Sequence, residues 1–429
     1  MNPIALSPAM PSSGATDDGP HVKWIGSLSV GQDDCVRGHV LVAPQQAVDY
    51  RRARILLRHG LDPVHFVETD IVDGTIRVPV PSSLATDPSA PVAVPHTPVS
   101  VVLCTRERPA DLAGALTSIV ALDYRNFEVV VVDNAPTSDS TERVVNALGD
   151  PRVRRIVEPV PGLSSARNAG LQAARHEIVA FTDDDVVVDR NWLHCIARGF
   201  ARHPDASCVC GLVPSGELRT AAQAYFDQRV SWSDSLDPRR YSLADPPADV
   251  PLFPFQVGRY GTGANFAVRR SAVIELGGFD EALGAGTPTR GGEDIDMFYR
   301  LIAAGHALAT EPSAIVWHRH RSDSAALLAQ AKGYGLGLGA WLTKVVLERE
   351  HRRRAVRVAR RRLTATARTG AAYGSVVVVP EREFDGAVPT GIGITEVLFV
   401  LAGPWALWRG RRRGRRSSPL APPPSADAK

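Results

Sequence analysis

The stretch Val99–Thr141, VSVVLCTRERPADLAGALTSIVALDYRNFEVVVVDNAPTSDST, holds the pattern from which the rest of the chain is read. It opens on a continuous apolar run, Ser100–Cys104, of the kind that forms a strand buried on both faces. Asp111, Leu112, Leu116 and Ile119 follow at the spacing of an amphipathic helix. FEVVVV (127–132) is a second buried strand, ending at Asp133. The alternation continues with a helix over Thr141–Leu148, a short strand Arg154–Val157, a helix Leu163–Ala174 and a strand Glu177–Phe181. That last strand runs into Thr182-Asp183-Asp184-Asp185. Strands alternating with short helices predict βαβ units, hence an α/β fold with a mainly parallel sheet flanked by helices. Such sheets bind ligands outside the carboxyl ends of their strands. Thr105, Asp133 and Asp183–Asp185 all fall at such ends.

Working outward, residues 21–80 hold β-like runs, HVLVAP (39–44), ARILLRHG (53–60) and TIRVPV (75–80), separated by Gly, Asp and Pro, which predict a small β-rich module. Residues 1–20 have neither a basic start nor a signal-like apolar run and read as a disordered lead-in. Residues 81–98 contain five prolines and almost no charge, a linker composition. The α/β unit spans 99–325, leaving 326–429 as a helical, basic C-terminal region. Five cysteines are too few and too odd in number for a disulfide framework, and Cys208 and Cys210 lack the second pair a zinc site needs. A reducing, cytosolic compartment fits this usage.

With 429 residues, 44% hydrophobic and 22% charged, the chain is long enough for two or three domains. Its composition excludes collagenous, disordered and disulfide-scaffold classes. The net charge of +3 conceals a division. Residues 331–429 carry 19 Lys/Arg against 7 Asp/Glu, and the remainder carries 30 against 39.

Three adjacent aspartates after a buried strand repel one another, and a divalent cation is the usual remedy. Such a cation completes its shell with phosphate oxygens and water, so a metal with a nucleotide diphosphate is the physical expectation. The alternative is a solvated acidic turn leading into a helix near Asn191, with Asp189 as N-cap. Neither G-x-G-x-x-G nor G-K-[ST] follows the first strand, which ends CTRERP. The glycine cluster Gly333–Gly339 follows a helical segment and reads as close helix packing rather than a phosphate loop.

Four ordered blocks over about residues 98–325 resemble family 2 glycosyltransferases of the GT-A fold, with its Rossmann-like sheet. They are Val99–Thr141, PGLSSARNAGLQAARHEIVAFTDDDVVVD (161–189), GTGANFAVRRSAVIELGGFDEALGAG (261–286) and GGEDIDMFYRLIAAGHALATEPSAIVWHRHR (291–321). The resemblance implies an inverting transfer of a sugar from a nucleotide-diphosphate-sugar donor to a hydroxyl of a glycan or lipid-linked acceptor, in cell-surface polysaccharide or glycoconjugate synthesis. It implies donor contacts from Thr105, Asp133, Arg167 and Asp183. Asp183 and Asp185 become the outer residues of a DXD motif holding Mg2+ or Mn2+, with Asp184 turned elsewhere and His318 a further ligand. Asp294 becomes the base that deprotonates the acceptor, Glu293 its rival, Asp296 a lower-ranked neighbour, and Arg300 the residue that orients the acidic cluster. Apart from the family, Trp192, Tyr260 and Trp317 could stack on sugar or base, but their residue type favours buried packing.

In the basic region, 341–363 reads as a helix with seven arginines between 352 and 362. Residues 391–408 are apolar apart from Glu396 and Pro404, and six arginines follow in 409–416. The apolar run is borderline for a spanning helix, and an interfacial helix on an anionic membrane surface fits at least as well. Packing on the α/β unit, or a merely solvated tail, are the alternatives. No aromatic-interleaved module accompanies the charge, so no nucleic-acid partner is expected. Together these place the chain at the cytosolic face of a membrane. Two rival functions stand beside sugar transfer: a nucleotidyltransferase on a similar scaffold, and a non-catalytic glycan-binding protein.

Overall fold

The structure, a computed structural model, describes residues 3–414 apart from 15, 16, 18, 83–95, 231, 232 and 370–391. The N-terminal module contains β1 (Ile4–Leu6), β2 (Trp24–Val30), α1 (Gln32–Arg37), β3 (His39–Pro44), β4 (Arg52–His59), β5 (Asp62–Asp70) and β6 (Ile76–Pro79). Its strands form two three-stranded sheets, β1-β3-β6 and β2-β4-β5. Trp24, Leu28, Val42, Ile55, Leu57 and Ile76 fill the space between them. Alternation along β4 decides what lies on its other side. Leu56, one residue out of phase with Ile55 and Leu57, packs with Ile25 against Leu212, Leu218, Ile315 and Trp317 of the large sheet's body. Ion pairs border this contact: Arg54 with Asp227 at 2.7 Å, Arg58 with Asp189 at 2.5 Å, and Arg198 with Asp62.

Two expectations are corrected here. Among the described residues of the N-terminal lead-in, several are packed on the module rather than loose: Ile4–Leu6 runs parallel to β3, Ala9 N–H donates to Ile25 O at 2.9 Å, and Met10 is 5% exposed. The open edge of β3 supplies the unpaired backbone groups that this strand satisfies. Asp189 is also not the cap of the helix after it. The N-cap is Asn191, and the Asp189 carboxylate accepts from Asn191 N–H and Arg58. Most of the expected 81–98 linker lies outside the described residues.

In the large body, β7 (Val99–Thr105), α2 (Pro109–Val120), β8 (Phe127–Asn134), α3 (Ser140–Leu148), β9 (Val153–Glu158), α4 (Leu163–Ala173) and β10 (Ile178–Thr182) alternate as the sequence predicts. Next come β11 (Val186–Val188), α5 (Trp192–Arg202), β12 (Ala206–Leu212), α6 (Ala221–Arg229) and β13 (Arg239–Tyr241). They are followed by β14 (Asn265–Arg269), α7 (Arg270–Glu275), α8 (Glu293–Ala303) and β15 (Ala307–His318). These strands make one nine-stranded sheet, β11-β15-β12-β14-β10-β7-β8-β9, with β13 on β15. The run β9-β8-β7-β10 is wholly parallel, as read. Beyond it β14 is antiparallel to both β10 and β12, so the sheet as a whole is mixed. Helices α2, α3 and α5 cover one face, and α4, α7 and α8 the other. Trp192, Tyr260 and Trp317 are all buried, at 0%, 1% and 4% exposure.

The C-terminal region supplies α9 (Ser324–Leu347), α10 (Arg349–Thr369) and α11 (Ile392–Gly414). Helices α9 and α11 lie backbone to backbone. A Cβ on Gly335 would stand 2.3 Å from Glu396 O, one on Gly339 2.1 Å from Val400 O, and one on Gly403 2.2 Å from Gly339 C. The glycine cluster is therefore a helix-packing surface. Among the described residues no helix is long and apolar enough to cross a membrane. One face of α11 is packed, while Ile394, Leu398, Leu401 and Trp405 on its other face are 57–75% exposed.

Truncating Leu56, fully buried where the module meets the body, should cost about 2–5 kcal/mol. Urea unfolding of Leu56→Ala against wild type measures it. A change near zero would mean that the module does not pack on the body in solution.

Candidate active site

The parallel strands deliver their carboxyl-terminal residues to one cavity of about 840 Å3, which Thr105, Asn134, Arg167 and Asp183–Asp185 all line. Opposite them stand Gly292, Glu293 and Asp294 at the start of α8, and Gln330, Tyr334 and Trp341 from α9. Helix α4 approaches the sheet closely because residue 170 is glycine, where a Cβ would lie 2.3 Å from Val102 Cγ1. That approach sets Arg167, 2% exposed, beneath the cavity. Its guanidinium donates to Glu293 Oε1 at 3.0 Å and to Gly263 O at 2.9 Å, and lies 3.7 Å from Asp183 Oδ1.

The three aspartates do different things. Asp183 keeps 31% of its side chain open. Asp184 turns back toward β7, accepting from Thr105 Oγ1 at 2.7 Å and from Arg108. Asp185 meets Arg108 at 3.1 Å, His318 Nε2 at 3.2 Å and Arg321 at 3.7 Å. Burial pushes the Asp184 carboxyl up to about 7 against the pull of Arg108. Burial acts on Asp185 in the same sense, but His318, Arg108 and Arg321 outweigh it and hold that carboxyl well below its ordinary value. His318 is the mirror case: burial disfavours its cation, and Asp185 reverses the balance and raises its pKa. Its Nδ1 is 3.1 Å from Nδ1 of His320, which burial and the neighbouring His318 keep neutral. Cys104, also on the wall, has its thiol pushed up to about 12 by burial and is a poor nucleophile.

Asp183, Asp185 and His318 each offer one ligand atom within 4.8 Å of the others. Two carboxylates and an imidazole are a donor set that fits a divalent cation, Mn2+ accepting the nitrogen more readily than Mg2+. A metal held there would take the place of the direct contact between His318 Nε2 and Asp185.

At the start of α8, Gly292 adopts φ +92°, and a Cβ there would come within 2.7 Å of Gly337 O. The acidic first turn this produces complements the helix dipole. Asp294 is partly exposed, its Oδ2 accepting Gly263 N–H at 2.8 Å. Glu293 is buried against Arg167. Burial and the neighbouring Asp294 push its carboxyl up to about 7 despite Arg167.

Not every expected residue reaches the cavity. Asp133 is fully buried below it, its carboxylate taken by Arg155 Nε at 2.9 Å and Thr141 Oγ1 at 3.1 Å; the next residue, Asn134, is the one that lines the wall. Arg300 does not orient the acidic cluster. Its i, i+4 partner Asp296 holds it at 2.7 Å on the flank of α8 that Lys344 also reaches, at 2.9 Å. Arg108 and Arg321 were not singled out from sequence. The signal for Arg108 was there, a cation three residues past a strand end that faces a triple aspartate. Arg229 and Glu396 pair across the cavity rim, so α11 helps to build the site.

Residues 100–277 match the family model described as Glycosyl transferase family 2. A pre-mycofactocin glycosyltransferase of Mycobacterium tuberculosis is 30% identical over 62% of this chain and 50% of its own length. The chain thus spans about half the length of that curated relative. Succinoglycan biosynthesis protein ExoM of Rhizobium meliloti is 29% identical over 54% of this chain and 71% of its own. Among solved structures, a mannosyltransferase from Pyrobaculum calidifontis in complex with GDP-Man and Mn2+ aligns with a TM-score of 0.42 at 20% identity. That alignment covers 76% of this chain and 79% of that one.

Glu293 makes the site's ionisation visible in stability. Its folded pKa is raised from 4.5 to about 7, so its stabilising contribution is full below the unfolded value and lost as pH rises through about 7. Glu293→Gln cannot ionise. Its melting temperature relative to wild type should therefore rise on going from about pH 5 to about pH 8. A difference that stays flat over that range would rule out a buried carboxyl ionising there.

Proposed function

Since residues 100–277 match the family model described as Glycosyl transferase family 2, we propose that the chain belongs to that family and transfers a sugar from a nucleoside-diphosphate sugar to a hydroxyl of a glycan or lipid-linked acceptor, inverting the anomeric carbon. One observation carries the reading. A metal-type cluster at the carboxyl ends of parallel strands faces a partly exposed carboxylate across a cavity large enough for both substrates. A divalent cation, Mn2+ or Mg2+, held by Asp183, Asp185 and His318 would supply Lewis-acid stabilisation of the diphosphate as it leaves.

The chain's own residues do the rest. Thr105 and Asn134 border the donor's side of the cavity, while Asp133 lies buried beside them, held by Arg155 and Thr141. Arg167 spans Asp183 and Glu293, tying the donor wall to the acceptor wall and placing positive charge where the leaving diphosphate gains negative charge. Asp294 takes the proton of the acceptor hydroxyl as that oxygen bonds to the anomeric carbon, and the bond from that carbon to the diphosphate breaks. Glu293 is poorly suited to the same task because it is buried against Arg167. The relative named for succinoglycan biosynthesis supports a role in polysaccharide or glycoconjugate synthesis. The exposed apolar face of α11 and its terminal arginines support attachment to an anionic membrane surface on the cytosolic side.

Two substitutions separate metal from base. Asp185→Ala should abolish Mn2+-dependent binding of nucleoside diphosphates in calorimetry. Asp294→Asn should keep that binding while transfer falls by about 10²-fold or more. Unchanged Mn2+ dependence in the first would remove the metal assignment; full transfer by the second would remove Asp294 as the base.

A further inference from the structure

Beside the main cavity lies a second groove of about 460 Å3, between α9, α11 and the 286–290 loop. Its lining brings together Arg290, Lys332 and Arg409 with Leu336, Phe399 and Trp405, and includes no carboxylate. The main cavity, by contrast, is rich in acids. Among the described residues none of the three cations has an acidic partner within ion-pair distance. Lys332 Nζ sits 5.8 Å from the Phe399 ring centre, and Arg409 Cζ 4.7 Å from that of Trp405. Three cations converging on a groove without a counter-ion form an anion site, and guanidinium groups favour phosphate oxygens.

The groove has two neighbours. Gly286 and Arg290 line both it and the main cavity, so the two are contiguous. On the other side, Ile394, Val397, Leu398, Leu401, Trp405 and Trp408 recur along α11 at helical spacing, 43–75% exposed. An exposed apolar stripe of this size ending in a cationic cluster (Arg412 Cζ is 3.7 Å from the Trp408 ring centre) matches a hydrocarbon chain joined to an anionic head. An acidic peptide would use the charges but leave the stripe uncovered.

We infer that this groove binds the phosphate or diphosphate of a lipid-linked acceptor, its hydrocarbon chain following α11 into a membrane surface and its sugar end entering the main cavity past Arg290. The inference rests on the glycosyl-transfer reading for what enters the main cavity. Arg290 is the hinge between the two sites, while Lys332 and Arg409 belong to the groove alone.

The test is calorimetric titration of the full chain with geranyl phosphate, geraniol and inorganic phosphate. Geranyl phosphate should bind at least about tenfold more tightly than either of the others. The Lys332→Gln/Arg409→Gln double variant should lose about tenfold of that affinity while its weaker binding of geraniol is unchanged. If the double variant melts early, each single variant carries the same measurement. Equal binding of the phosphate and the alcohol, or an undiminished double variant, would overturn the inference. So would inorganic phosphate binding as tightly as geranyl phosphate, which would leave a lipid no role. Mn2+-dependent binding of a nucleoside diphosphate to the wild-type chain is measured in parallel. Its failure would count against the donor reading and leave the groove result standing.

Discussion

The structure depends on how it neutralises the carboxylates at the end of β10. Asp184 and Asp185 are 4% and 7% exposed, and Glu293 across the cavity is 6% exposed. Crowded, enclosed carboxylates cannot all ionise unless positive charge is brought to them. Each is met from a different part of the chain: Arg108 after β7, Arg167 from α4, His318 from the end of β15 and Arg321 beyond it. The arrangement of β7, β10, β15 and α4 around one point is thus an electrostatic requirement as well as a packing solution. It also leaves a division of labour among adjacent aspartates. Asp184 is consumed by internal bonds, while Asp183 and Asp185 remain grouped with His318.

Glycine does for the cavity walls what arginine does for its charge. Helix α4 can seat Arg167 only because Gly170 lets it close on Val102 and Val132. The turn into α8 sits under α9 because at Gly292 and Gly337 there is no room for a Cβ. Helix α11 in turn reaches the rim through Gly335, Gly339 and Gly403. The C-terminal region is therefore continuous with the site: Tyr334, Trp341 and Glu396 are cavity residues. The acidic and basic parts of the chain, which look like two jobs in composition, share a wall.

Much of this was legible in the residues. Uninterrupted apolar runs such as Val129–Val132 are buried from both sides, and periodic helices between them leave few alternatives to a parallel arrangement. The position of Asp183–Asp185 at a strand end follows from the same pattern. The antiparallel entry of β14 was not legible, because a strand's direction is set by a distant partner and not by its own composition. Nor was the fate of Asp133, since its burial under Arg155 depends on a residue 22 positions away. Short elements such as Ile4–Leu6 carry too little periodicity to be told from loop, and exist only because β3 offers an edge.

The sequence by itself determined the alternating βαβ core, the strand ends where chemistry gathers, and the residue types present there. Local periodicity and chain order encode those features, so no knowledge of distant contacts is needed. Only the tertiary structure decided which of three aspartates stay available, that Glu293 is sealed against Arg167 while Asp294 is partly open, and that a cationic groove adjoins the cavity. Those outcomes depend on which distant side chains converge, and convergence is a property of packing geometry rather than of any one segment.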